Sequence, residues 1–158
     1  MNVIEELNRL DDSRFLAMYE SLVQNGFGPL DGEVAKSLKF RPQAIRKLPM
    51  AQRAKRARTL LGRNPELTYE FFGGYLMQNH KELVTGFLDK TGVEHEDGML
   101  QDLQTARPAP DKLAGTIKEL DGDFAPEDVT LYLSMCSDQW SDIEELATIW
   151  RERAGVTA

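Results

Sequence analysis

The chain contains 158 residues, of which 41% are hydrophobic and 28% are charged, and its formal net charge is −7. These values are typical of one soluble globular domain with its own core, and they exclude disorder over the whole chain. The segment Met1–Glu6 lacks the basic and apolar regions of a secretory signal, and no apolar run approaches the roughly 18 residues of a membrane span, so we expect a cytoplasmic protein without a membrane partner.

Helix start and stop signals cover the N-terminal part of the chain. The pattern predicts a short helix over residues 3–9 and a longer helix from a cap at residues 11–13 to about Asn25. Gly26 is the predicted stop of that helix, because glycine adopts the left-handed conformation at low cost. A further short helix is predicted over residues 31–38.

Three prolines mark the next helix starts. Pro42, Pro49 and Pro65 each suit the first turn of a helix, where the missing N–H is not needed. After Pro49 one apolar stripe is predicted to point inward, formed by Met50, Ala54, Ala57 and Leu61.

Two four-residue segments have the pattern of a capping box, in which the first side chain and a Glu three residues later satisfy free backbone donors. Residues 79–82 are predicted to start a helix that ends at Thr91, with Gly92 as its stop. Residues 141–144 are predicted to start the last helix, which ends at Gly155.

The remaining segments complete an all-α prediction. Residues 94–110 read as irregular, with one helical turn over 99–103, and helices are predicted over 111–120 and 126–136. No segment has sustained alternation with β-branched enrichment. We therefore predict one all-α domain over 1–158, with eight to ten short helices packed as antiparallel hairpins in an irregular bundle or a short solenoid-like stack.

Residues 82–93 can be aligned with residues 145–156, and five of the twelve positions are identical. This similarity is consistent with an internal repeat of a helical hairpin. It is also what two unrelated amphipathic helices closed by glycine would show, so both interpretations stay open.

The charge distribution provides the main functional signal. Between Lys36 and Arg63 the chain has ten Lys or Arg residues and no Asp or Glu, whereas the rest has nine basic and 26 acidic residues. On a helix after Pro49 the basic side chains are predicted to fan over the outward face. The predicted basic face consists of Arg46, Lys47, Arg53, Lys55, Arg56 and Arg58.

Several partners fit such a face. The favoured hypothesis is a non-enzymatic interaction module that binds an acidic protein surface, including a second copy of the chain, while the acidic remainder of the same chain is another partner. Nucleic-acid binding by the face from Arg46 to Arg63 is the alternative. The sequence pI near 4.9 and the lack of aromatic residues between Arg41 and Arg63 argue against it. Much of the face can also be a plain solvated surface.

A second alternative is a metal-dependent enzyme that uses His80 and His95, with Asp97 as a further ligand candidate. No second spaced pair of His or Cys accompanies them, so an acidic surface turn is the favoured interpretation. Common catalytic and phosphate-binding motifs are absent from the sequence, and no cofactor is predicted. The single Cys136 is predicted to be a buried small hydrophobe in a reducing compartment.

Three stretches carry a resemblance to known sequences: residues 75–80, residues 87–98 and residues 131–133. They are similar to a bacterial all-helical protein family of unknown function, and the resemblance covers about residues 65–140. It implies a helical fold and a bacterial, cytoplasmic origin, and it implies no activity. Both histidines fall inside the resembling stretches.

Overall fold

The computed structural model describes residues 1–24, 47–102 and 106–156. Within them the chain is all-α, as predicted, and its helices pack antiparallel. The α-helices are α1 (Asn2–Arg9), α2 (Asp12–Gln24), α3 (Met50–Leu61), α4 (Pro65–Asn79), α5 (Lys81–Thr91), α6 (Leu113–Asp123), α7 (Pro126–Gln139) and α8 (Glu144–Ala154). A short 3-10 helix covers Pro110–Lys112. The elements predicted between residues 25 and 46, including the Gly26 stop and the Pro42 start, lie outside the described residues.

Several predicted helix ends are confirmed in atomic detail. Asp11 caps α2, because its Oδ1 accepts the Arg14 N–H at 2.7 Å. This backbone hydrogen bond lowers the pKa of the Asp11 carboxyl. Pro65 is the first residue of α4. The cap of α4 is Asn64, whose Oδ1 accepts the Leu67 N–H at 3.1 Å.

Both predicted capping boxes are wrong. Asn79 lies in the last turn of α4 and His80 is the cap residue of α5, with no side-chain hydrogen bond to the helix start. The cap residue of α8 is Ile143, so Ser141 lies before the helix. Backbone bonds within the turn already connect the two helices there, since the Ile143 N–H donates to the Trp140 carbonyl at 3.0 Å. A capping box is not needed where the turn itself satisfies such donors.

A β-hairpin with strands of two residues each takes the place of the start of the helical turn predicted over residues 99–103. Strand β1 (His95–Glu96) pairs antiparallel with strand β2 (Met99–Leu100). The loop residues Asp97 and Gly98 have φ values of 54° and 92°, which is the backbone that an Asp-Gly hairpin turn requires.

The chain divides into two compact units, and each has its own core. Unit 1 comprises Met1 and Val3–Tyr75, and unit 2 comprises Asn2 and Leu76–Ala158. The prediction of a single domain stays a prediction.

In unit 1, α2 packs against α3, and three rings form one aromatic cluster. The Phe15 ring lies 5.3 Å from the Phe71 ring and 6.4 Å from the Tyr19 ring, measured between centroids. All three residues are buried, as is most of the predicted inward stripe of α3. Helix α3 therefore packs against the core of unit 1 with its inward stripe.

In unit 2, α7 packs against both α6 and α8, and residues 128–137 are all buried. The buried hydroxyls of this helix are satisfied locally. Thr130 donates to the Pro126 carbonyl at 2.8 Å, and Ser134 donates to the Leu131 carbonyl at 2.6 Å. The aromatic residues Phe87, Tyr132, Trp140 and Trp150 are buried here.

The two segments of the suspected repeat have the same local structure. Helices α5 and α8 have 11 residues each, and in both the third residue donates its N–H to the cap carbonyl. Each ends at a left-handed glycine, Gly92 with φ 79° or Gly155 with φ 69°. The residue after each glycine donates to the carbonyl five positions earlier, at 2.8 and 3.0 Å. Descent from a common repeat stays a prediction.

Candidate interaction surface

Helix α3 carries most of the predicted basic face within the described residues, and its orientation decides which side chains are available. Ala54, Ala57 and Leu61 are buried, as predicted for the inward stripe, and Met50 is half-buried. At about 100° per residue the opposite side of the helix is centred near Thr59, which is exposed.

The prediction that Arg53 points outward is wrong, because Arg53 is buried and only 7% of its surface is exposed to solvent. Arg53 and Arg58 flank the inward stripe, each about 70° from its centre, and this is near the edge of the apolar face of an ordinary amphipathic helix. Both have long apolar stems that can be buried beside the stripe. The Arg53 guanidinium carbon lies 5.8 Å from the centroid of the Tyr19 ring.

The side chain of Arg58 also forms its contacts inside unit 1. Its Nη2 donates to the carbonyls of Leu7 at 2.8 Å and Leu10 at 2.6 Å, at the C-terminal end of α1. Its guanidinium carbon lies 5.2 Å from the centroid of the Phe15 ring. The outer Nη1 reaches the exposed Asp12 carboxylate at 3.4 Å. A cation placed at a helix C-terminus stabilises the free carbonyls there, so the role of Arg58 is structural.

Three exposed basic residues remain available along the length of α3 and are here named the basic face: Lys47, Lys55 and Arg63. None of the three forms an ion pair with any described residue. Arg56 is half-buried at the margin of this face. Arg46, which was predicted to belong to it, lies outside the described residues.

Arg63 was the last residue of the face predicted for the nucleic-acid alternative, but it was not named among the six residues of the predicted basic face. It follows the helix end at Gly62, its N–H donates to the Leu60 carbonyl at 3.0 Å, and the residue is exposed. The only sequence signal for its exposure was its position directly after Gly62, a glycine that can end a helix.

The metal candidates are not brought together. The Nε2 atom of His80 lies 3.3 Å from Asp128 Oδ2, whereas the Nε2 atom of His95 lies 2.6 Å from Asp89 Oδ1. Asp97 pairs with the ammonium group of Lys81. In residues 1–24, 47–102 and 106–156, no group of three or more His, Cys, Asp or Glu has an arrangement that could hold a metal ion.

The tautomer of His95 follows from its contacts. The Gly98 N–H donates to His95 Nδ1 at 2.9 Å, so Nδ1 accepts and the proton lies on Nε2, which donates to Asp89. These bonds hold the hairpin turn against α5, which gives His95 a structural role.

The thiol of Cys136 is buried on α7, as predicted. Burial raises the pKa of this thiol far above its usual range, and a side-chain hydrogen bond with Tyr132 opposes the shift. A thiol that stays protonated and enclosed is a poor nucleophile.

We expect Cys136 to be inert toward a thiol reagent such as dithionitrobenzoate in the folded protein and to react fully in denaturant. The Lys55→Cys variant provides the matched control, since its added thiol lies on the exposed side of α3. Native Cys136 should react at least about a hundredfold more slowly than that added thiol. Comparable rates would contradict the burial of Cys136.

Within the part of the chain that the structure describes, no helix combines the length and the apolar character needed to cross a membrane. The predicted resemblance to a bacterial family stays a prediction. Comparison with family models, curated proteins and solved structures finds no match for this chain.

Proposed function

We propose that this chain is a non-enzymatic interaction module of the cytoplasm whose basic face binds an acidic protein surface. The observation that carries the proposal is the set of exposed cations Lys47, Lys55 and Arg63, none of which forms an ion pair with a described residue and all of which lie in a stretch of 28 residues without any carboxylate side chain. Outside that stretch, five described cations have a carboxylate partner: Arg9, Lys81, Lys90, Arg107 and Arg153.

The local backbone adds to the positive potential. Helix α3 has no acidic residue in its first turn, so no carboxylate of its own first turn offsets the partial positive charge of its N-terminus. Lys47 lies just before that end. Lys55 is on the outward side of the helix and Arg63 follows its C-terminus, so positive charge extends along the whole length of α3.

An acidic protein fits this face better than a nucleic acid does. Two of the arginines predicted for this face, Arg53 and Arg58, are turned into unit 1 and cannot hold phosphates with their full guanidinium groups. Duplex DNA carries one negative charge per about 1.7 Å of its axis, and a chain of net charge −7 repels such a long polyanion outside the small basic face. A short acidic segment contacts the basic face alone.

The proposal is tested by titrating the protein into a labelled peptide of about ten glutamates at about 30 mM salt and again at about 300 mM salt. We expect binding at low salt that weakens steeply at high salt. Reversal of two charges in the Lys55→Glu/Arg63→Glu variant should reduce the low-salt affinity about tenfold or more, because it places like charges opposite each other.

The matched control is the Lys112→Glu/Lys118→Glu variant, which changes the net charge by the same amount at two other exposed lysines that form no ion pair with a described residue. It should keep its affinity within about threefold, since distant charges are screened. Equal losses in both variants would show that net charge alone drives binding. A duplex DNA titration whose logarithmic salt slope approaches about −3 would favour nucleic acid instead.

A further inference from the structure

The two units carry opposite net charges. Unit 1 has 12 basic and 9 acidic residues, a net charge of +3, and unit 2 has 7 basic and 17 acidic residues, a net charge of −10. The chain therefore contains both a basic face and a strongly acidic surface of the kind that this face is proposed to bind.

Most acidic residues of unit 2 have a local explanation. Glu144 and Glu145 lie in the first turn of α8, where the helix dipole favours a carboxylate. Asp142 pairs with Arg107, which lowers the pKa of the Asp142 carboxyl. These groups need no external cation.

The junction of α6 and α7 is different. Glu119, Asp121 and Asp123 fall within the last five residues of α6, where the helix dipole opposes negative charge, and the last turn contains no basic residue. Glu127 follows in the first turn of α7, where the dipole of that helix favours a carboxylate, so it adds negative charge to the junction without being unfavourable itself. We name these four residues the acidic corner.

The fold compensates this corner only in part. Asp121 pairs with Arg153 at 2.7 Å, and Glu119 pairs with Lys90 at 2.9 Å. The hydrogen bond with Glu119 raises the pKa of the Lys90 ammonium, and the charge of Asp123 adds to that effect. Asp123 and Glu127 are exposed and form no ion pair with a described basic residue. Asp123 thus places an unpaired charge at an unfavourable helix end, and local rules of this kind are broken most often at functional or strained sites.

We propose that the partner of the basic face is a second copy of this chain, docked head to tail, with the acidic corner of one copy against the basic face of the other. This inference rests on the proposed function and names its partner. Each contact joins a basic face to an acidic corner, because two basic faces, or two acidic corners, repel each other. Such contacts either close into a ring, of which a two-fold dimer is the smallest, or continue into an open chain as concentration rises.

The inference is tested by sedimentation velocity on the full chain at about 30 mM and about 300 mM salt. At low salt the weight-average sedimentation coefficient should increase with protein concentration, and high salt should suppress this increase. The Lys55→Glu/Arg63→Glu variant keeps only Lys47 of the basic face. The Asp123→Lys/Glu127→Lys variant keeps only Glu119 and Asp121 of the acidic corner, which are already paired within the chain, so each variant alone should lose the increase.

Mixing the two variants provides the decisive result. The first variant keeps its acidic corner and the second keeps its basic face, so the mixture should form a one-to-one complex that does not grow further. Circular dichroism checks that each variant is folded, and the salt response of the unmodified chain tests the inference without any substitution.

Two results would overturn the inference. One is an unmodified chain that stays monomeric at low salt up to about millimolar concentration, and the other is a mixture that shows no complex. If the unmodified chain stays monomeric but still binds the glutamate peptide through Lys55 and Arg63, the proposed function stands and only the identity of the partner is wrong. Loss of both would reject the proposed function as well.

Discussion

Replacement of Arg58 by alanine should lower the free energy of unfolding by about 2–3 kcal/mol. The guanidinium donates to two carbonyls at the end of α1, at 2.6 and 2.8 Å, and its side chain is only 22% exposed. Hydrogen bonds from a charged donor contribute about 1.5–3 kcal/mol, and the contact with the Phe15 ring adds about 0.5–1 kcal/mol. The pair with Asp12 adds little, because that carboxylate is fully exposed.

Urea denaturation followed by circular dichroism measures this loss as a shift of the midpoint by about 1–2 M at typical slopes. Arg58→Lys should recover less than half of the stability, because an ammonium group lacks the planar fork that reaches both carbonyls. Lys55→Ala on the exposed side of the same helix should change the free energy by no more than about 0.5 kcal/mol. A loss below about 1 kcal/mol for Arg58→Ala would show that Arg58 does not stabilise the end of α1.

Replacement of Arg153 by alanine should cost about 2–4 kcal/mol. The guanidinium forms a bidentate pair with Asp121, both contacts at 2.7 Å. It also donates to Thr130 Oγ1 at 3.0 Å and to the Pro126 carbonyl at 3.1 Å. One side chain of α8 thus connects α6 with the start of α7, and its removal leaves the half-buried Asp121 without a cation at an unfavourable helix end.

A double-mutant cycle isolates the pair. Asp121→Asn in the Arg153→Ala background should restore part of the stability, because it removes the carboxylate that the first substitution leaves uncompensated. The control is Arg151→Ala on the same helix, half-buried and without an ion pair to any described residue, which should cost less than about 1 kcal/mol. Additive losses from Arg153→Ala and Asp121→Asn would contradict the coupling.

The fold class could be predicted because helix punctuation in this chain is strong and local. Gly92 and Gly155 end their helices in the left-handed conformation, and Pro65 begins one, as the sequence indicated. The hairpin at residues 95–100 escaped prediction for a physical reason. Two-residue strands are too short to show a period, so only the Asp-Gly pair could have revealed them.

The candidate site was predictable only in outline. The period of α3 placed Ala54 and Ala57 inward correctly, but it could not show that the apolar face is wide enough to include Arg53 and Arg58. That width depends on Tyr19, Phe15 and the end of α1, which are more than 30 residues away in the chain. The exposure of Lys55 followed from the helix period, whereas the loss of two arginines from the surface required the tertiary structure.

The placement of the two tryptophans has a spectroscopic consequence. Trp140 and Trp150 are both buried in unit 2, and unit 1 contains no tryptophan. Intrinsic fluorescence excited at the red edge of absorption therefore follows unit 2 alone, while far-ultraviolet dichroism sums the helices of both units. In the Arg58→Ala variant the substitution destabilises unit 1, whereas the tryptophan fluorescence reports the unfolding of unit 2. The difference between the unfolding midpoints from fluorescence and from dichroism therefore measures how cooperatively the two units unfold.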